Sequence, residues 1–132
     1  MSWDVFVFNA PPHIATMDQI PHDFLPPPLG PASDIGRRLR ESVAAVDLSD
    51  PRWGRVLGET WSIELSMGAA ATVESIMLHV QGGGDDVLTV IARIAAAVDA
   101  RALDISTGEF LTGDLSQTAG WHGFQRHRDG TT

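Results

Sequence analysis

The stretch WDVFVFN, residues 3–9, carries apolar side chains on both of the faces that a β-strand would present. Valine and phenylalanine alternate from Val5 to Phe8, so either parity turns large apolar side chains to each side of the strand. A strand with two apolar faces is typical of the centre of a sheet, where neighbouring layers cover both sides. We therefore expect residues 3–9 to form a central strand.

Further strands are predicted along the rest of the chain. Residues 60–66 and 73–81 alternate apolar with polar side chains, which predicts two half-buried strands joined as a hairpin. Leu103 and Ile105 flank Asp104 in a short fourth strand at 103–105. Residues 109–112 are predicted to be a small fifth strand at the edge of the sheet.

Two amphipathic helices are predicted at 34–46 and 87–100, because apolar side chains recur there at helical spacing. The order β-α-β-β-α-β predicts an α+β, ferredoxin-like fold with an antiparallel sheet in the order 4-1-3-2. Both helices then cover one face of the sheet, and the other face is open. One domain is expected at 1–121, followed by a flexible tail at 122–132.

A proline-rich loop is predicted at 10–31, where seven of the eight prolines lie. Proline removes backbone donors and fixes φ, so neither a helix nor a strand fits this segment. Loops of this length are uncommon inside small domains unless they are functional or mobile. Three candidates are considered for covering the open sheet face: this loop, the segment from Trp121 to Phe124, and a second subunit.

Composition excludes several classes of function. The chain has 132 residues, a formal net charge of -8 and no cysteine, which excludes disulfides, thiolate metal sites and cysteine catalysis. The acidic charge argues against nucleic-acid binding, and there is no apolar stretch long enough to span a membrane, so a cytoplasmic protein is expected. No cofactor is expected, because a triple glycine at 82–84 lacks the lysine of a phosphate-binding loop. The five histidines lack metal-ligand spacing, so no metal site is predicted.

The open sheet face is the candidate binding surface. An apolar centre and a polar rim are the anatomy of an interface. The candidate residues are Phe6, Phe8 and Met77 in the centre and Glu64, His79 and Asp104 at the rim. The three polar residues are also a candidate acid/base set for a small enzyme or ligand-binding domain, although the hairpin is expected to place Glu64 opposite Ser75 or Met77. Trp53 and Trp61 are interpreted as turn and core anchors.

Several short motifs resemble small bacterial domains of unknown function, and some recur in immunity proteins of polymorphic toxin systems. They are Ser2-Trp3-Asp4-Val5, Trp53-Gly54, Ile63-Glu64-Leu65, the segment from Leu78 to Asp85, and the segment from Leu103 to Phe110. The resemblance implies a bacterial, cytoplasmic protein that binds a protein partner and is not an enzyme. The expected partner is a basic toxin or a second copy of the chain.

Overall fold

The computed structural model of the protein describes residues 1–130. In that range the chain forms a seven-stranded sheet, a two-stranded ladder, three α-helices and one turn of 3-10 helix at Met17–Gln19. The strands are β1 (Trp3–Phe8), β2 (Gly30–Pro31), β3 (Asp47–Asp50), β4 (Trp53–Leu57), β5 (Trp61–Ser66), β6 (Thr72–Val73), β7 (Ile76–Gly82), β8 (Arg101–Asp104) and β9 (Phe110–Leu111). The helices are α1 (Ala32–Ser42), α2 (Val87–Ala97) and α3 (Ala119–Arg128).

The large sheet is antiparallel throughout and has the strand order β3-β4-β5-β7-β1-β8-β9. β1 lies between β7 and β8, so the prediction of a central strand is confirmed. The four strands expected from the sequence are neighbours in the expected order, since β8, β1, β7 and β5 follow one another. β9 is the predicted small strand at the edge.

The sheet extends beyond the prediction because a hairpin of β3 and β4 pairs with β5. The sequence predicts only a turn at 50–54, because Asp50, Pro51 and Gly54 are typical turn residues. In the structure Gly54 is buried, and a Cβ there would lie 2.7 Å from a methyl carbon of Leu48. Glycine therefore allows Leu48 to pack against the backbone of β4. Because this inward position has no apolar side chain, the sequence does not show the alternation that predicts a strand.

All three described helices cover the same face of the sheet. Trp3, Val5 and Val7 of β1 belong to one buried cluster with residues of α1, α2 and α3. α1 ends at Ser42, short of the predicted residue 46, because Val43 is extended and Ala45 has a φ of 63°. Neither conformation continues an α-helix.

The C-terminal segment differs from the prediction of a flexible tail at 122–132. Residues 119–128 form α3, and its Trp121 is fully buried with its ring 5.3 Å from that of Trp3. Burying an indole against another indole stabilises a helix whose two glycines make it weak by propensity alone. Residues 131 and 132 lie outside the described range.

The observed fold is therefore α+β with a large antiparallel sheet and one helix more than expected. The ferredoxin-like pattern with two helices is not confirmed as a whole, because β3, β4 and α3 are additional elements. No helix in the described residues combines the length and the apolar character needed to cross a lipid bilayer.

Candidate functional site

The open sheet face is the face of the large sheet opposite the helices. Its outward side chains follow from the strand registers, because alternate residues of each strand point to the same side. They are Trp53, Arg55 and Leu57 of β4, Ser62, Glu64 and Ser66 of β5, Met77, His79 and Gln81 of β7, and Asp4 and Phe6 of β1.

A polar row crosses the middle of this face. Arg55, Glu64, His79 and Asp4 are direct cross-strand partners on four adjacent strands. The guanidinium of Arg55 lies 3.7 Å from a carboxylate oxygen of Glu64, and Nδ1 of His79 lies 3.0 Å from Oδ1 of Asp4. Since all four side chains are partly exposed, these pairs contribute little to folding stability. Their polar groups remain available to a partner.

The next row of the same face is largely apolar. Trp53, Ser66, Met77 and Phe6 are cross-strand partners in the adjacent register. Trp53 remains 41% exposed, and its ring stacks on the imidazole of His79 with the two ring centroids 5.9 Å apart. The indole and imidazole join the two rows into a continuous surface, in which a polar strip is bordered by aromatic and thioether groups.

Glu64 and His79 are directly opposite each other, so the expectation that Glu64 faces Ser75 or Met77 is wrong. The connection between β5 and β7 causes the difference. β7 begins only at Ile76, and the intervening chain forms the short strand β6, which pairs with β2 instead of continuing the hairpin. The register is therefore set by a non-local ladder that loop length does not reveal.

Asp104 is not on the open sheet face, and its assignment there is wrong. Asp104 is paired with Val5 and shares the helix-covered side, where it is only 2% exposed. Its Oδ1 accepts a hydrogen bond from the indole N–H of Trp3 at 3.0 Å. The predicted set of Glu64, His79 and Asp104 is consequently divided between opposite faces of the sheet.

Phe8 belongs to the same face as Phe6 but is not available for binding. It is buried with Leu103 and Phe110 in a second apolar cluster, against which Ile14 and Ile20 of the proline-rich loop pack. The loop therefore covers the end of the open sheet face near β8 and β9. The part around Glu64 and His79 lies beyond this cluster and remains partly exposed.

A serine, a histidine and an aspartate meet at the border of the polar row. The hydroxyl of Ser2 donates to Asp4 Oδ1 at 2.5 Å and lies 3.5 Å from Nδ1 of His79. In a nucleophilic relay the serine and the aspartate contact different ring nitrogens, so that a proton can pass through the imidazole. Here both lie beside Nδ1, so the three side chains do not form such a relay.

The sequence interpretation missed Trp53, Arg55 and Asp4 as members of this surface. The sequence predicts a turn at Trp53, but the structure makes it an exposed strand residue, whereas Trp61 is buried as expected. The sequence pattern that indicates β4 is an alternation: Trp53, Arg55 and Leu57 are exposed, and Gly54 and Val56 between them are buried. Glycine can occupy an inward position of a strand where a neighbour approaches closely.

Backbone carbonyls of the triple glycine accept hydrogen bonds from side chains of α3. The indole of Trp121 donates to the Gly84 carbonyl at 3.0 Å, and Arg128 donates to the Gly82 carbonyl at 2.6 Å. Nε2 of His122 lies 2.8 Å from Asp85. In residues 1–130 there is no group of three or more histidine and acidic side chains placed to hold a metal ion.

Comparison with protein-family models, curated proteins and solved structures found no match to this chain.

Proposed function

We propose that the protein binds a basic protein partner through the open sheet face. The observation that carries this proposal is the pairing of a polar row with an adjacent apolar row, on a face that the helices leave uncovered. Exposed tryptophan beside partly buried methionine and phenylalanine is typical of interface centres. Trp53, Met77 and Phe6 supply these groups here.

The charge of the chain supports a basic partner. The protein carries a net charge of -8, and in the polar row the carboxylates of Glu64 and Asp4 outnumber the single guanidinium of Arg55. Opposite charge on a partner accelerates encounter and fixes orientation, whereas a second copy of the same acidic chain would be repelled at long range. A basic protein therefore fits this face better than self-association.

The edges of the sheet favour docking on the face over strand addition. β3 is a four-residue edge strand with a register shift, and it carries two aspartates, Asp47 and Asp50. At the other edge, β9 has two residues, and Glu109 beside it bridges to Thr16 of the proline-rich loop. Short, charged or covered edges discourage pairing with another strand.

The resemblance to immunity proteins makes a toxin the partner class we favour. In this proposal the protein is a cytoplasmic, non-enzymatic bacterial protein that masks a basic toxin surface by contact alone. We also propose that β1, α1, β5, β7, α2 and β8 form a ferredoxin-like core to which the other elements are added. The shared strand order supports this view.

The proposal is tested by capturing a partner with the wild-type chain and measuring its binding kinetics with two single variants. Glu64→Arg reverses a charge in the polar row and is expected to lower mainly the association rate, with a weaker salt dependence. Met77→Asp places a charge in the apolar row and is expected to raise mainly the dissociation rate. Unchanged kinetics in both folded variants would contradict binding through this face.

Sedimentation velocity of the purified chain separates the two partner classes. The proposal expects a monomer at physiological salt. A dimer that Met77→Asp dissociates would instead assign the open sheet face to self-association, and the basic partner would be withdrawn.

A further inference from the structure

A second surface stands apart from the open sheet face, in the proline-rich loop. Residues 25–28, Leu-Pro-Pro-Pro, form the proline segment, and all four side chains are exposed. Leu25 is 86% exposed, more than any other leucine among the exposed large apolar residues of the described chain. The fold buries Leu29 directly after the segment and leaves the segment itself in solvent.

The proline segment is restricted to an extended, left-handed conformation. Each proline ring fixes φ near -65°, and a residue that precedes proline is forced out of the helical region. Leu25, Pro26 and Pro27 all precede a proline, so both restrictions act along the segment. These restrictions favour polyproline II helix, in which the backbone makes no internal hydrogen bonds.

The folded body holds the C-terminal end of this segment. Nδ2 of Asn9, at the end of β1, donates to the Pro27 carbonyl at 3.2 Å and to the Pro28 carbonyl at 2.9 Å. The backbone N–H of Leu29 donates to the Val73 carbonyl at 2.8 Å, beside the ladder of β2 and β6. These contacts fix the C-terminal end of the segment against the body, while the side chains of residues 25–28 are exposed.

We propose that the proline segment is a docking peptide for a protein domain with a groove of aromatic side chains. Aromatic-lined grooves recognise polyproline II ligands because proline rings fit between flat aromatic rings and the ligand loses little entropy on binding. Here the entropy loss is reduced further, because the contacts of Asn9 and Leu29 hold the C-terminal end of the segment in place before any partner arrives. The exposed Leu25 supplies an additional apolar side chain at the N-terminal end.

The test is an NMR titration of the full-length, isotope-labelled chain with three recombinant probes, an SH3, a WW and an EVH1 domain. The proposal expects at least one probe to shift the amide resonances of Phe24, Leu25 and Leu29. Leu25→Asp and Pro26→Ala are expected to weaken that binding by about ten-fold or more, because each removes a side chain from the docking surface. Both positions are exposed, so both variants are expected to keep the wild-type melting temperature.

Two matched controls make the result specific. Leu115→Asp makes the same chemical change at another exposed leucine, and Glu64→Arg alters the open sheet face, so neither is expected to change binding of the probe. The proposal is overturned if none of the three probes shifts the segment, or if Leu25→Asp and Pro26→Ala bind as the wild type does. Because the surfaces are separate, either result leaves the proposed function to be judged by its own experiment.

Discussion

The indole N–H of Trp3 donates a hydrogen bond of 3.0 Å to the carboxylate of Asp104, on the helix-covered side of the sheet. The same oxygen accepts from the backbone N–H of Ser106 at 2.9 Å and from its hydroxyl at 2.6 Å. The other oxygen lies against Gly120 in the first turn of α3. Asp104 thus connects β1, the turn after β8 and α3, and its role is structural.

Replacing Asp104 by alanine is expected to destabilise the protein. The buried indole of Trp3 would lose its acceptor, and a buried donor without a partner costs about 1 to 3 kcal/mol. Urea unfolding followed by circular dichroism measures the loss. Asp23→Ala, at an exposed site, serves as the control and is expected to change stability by less than about 0.5 kcal/mol. Equal stability of the two variants would refute the role assigned to Asp104.

Replacing two glycines of α3 by alanine is expected to change the stability of the protein in opposite directions. A Cβ at Gly120 would overlap the carboxylate of Asp104, whereas a Cβ at Gly123 would meet only the far end of Arg126 at 3.9 Å. Gly123→Ala is therefore expected to stabilise the protein by roughly 0.5 to 1 kcal/mol through helix propensity. Gly120→Ala is expected to lower the melting temperature. Stabilisation by both would show that α3 does not pack on Asp104 as described.

Replacing Trp121 by alanine is expected to cost about 3 to 5 kcal/mol, the usual range for a large buried aromatic. The fully buried ring lies between those of Trp3 and Phe124, at centroid distances of 5.3 and 5.8 Å. Thermal unfolding and amide exchange of residues 119–128 provide the measurement. If the C-terminal segment were a flexible tail, the variant would melt at the wild-type temperature.

The β3-β4 hairpin is expected to lose stability in acid. Backbone N–H groups of Ser49 and Arg52 donate to Asp47 and Asp50, and these hydrogen bonds hold the pKa of both carboxylates below the ordinary value of 3.8. A carboxylate with a lowered folded-state pKa stabilises the fold above its unfolded pKa, and the contribution disappears as pH falls through the folded pKa.

An NMR titration of the hairpin amides from about pH 6 to pH 2 tests this expectation. Local order around Ser49 and Arg52 is expected to decrease below the ordinary aspartate pKa of 3.8. The double variant Asp47→Asn, Asp50→Asn is expected to remove much of this acid sensitivity. The same acid response in the variant and the wild type would exclude these carboxylates as its cause.

The sequence predicted those elements whose pattern is local. β1, β5 and β7 show their alternation directly, and the central place of β1 follows from its two apolar faces. The helical pattern of α3 is weak, and what stabilises the helix is the contact of Trp121 with Trp3, far away in the sequence. Such a contact leaves no periodic signal.

The site was predicted in part for the same reason. Phe6, Glu64, Met77 and His79 share the open sheet face because parity within a strand is a local property. Asp104 was misplaced because β8 has apolar neighbours on both faces. Its Leu103 enters the cluster under the proline-rich loop, so alternation alone could not tell which face holds the core.

Calorimetry with the partner captured by the wild type compares two double variants and tests the claim that a basic partner binds the open sheet face. Glu64→Arg, Met77→Asp changes this face, and Glu41→Arg, Leu115→Asp makes the same chemical changes at exposed sites elsewhere. The first variant, still folded, is expected to lose affinity by about 100-fold, and the second is expected to bind within about three-fold of the wild type. Wild-type affinity in the first variant would contradict the claim.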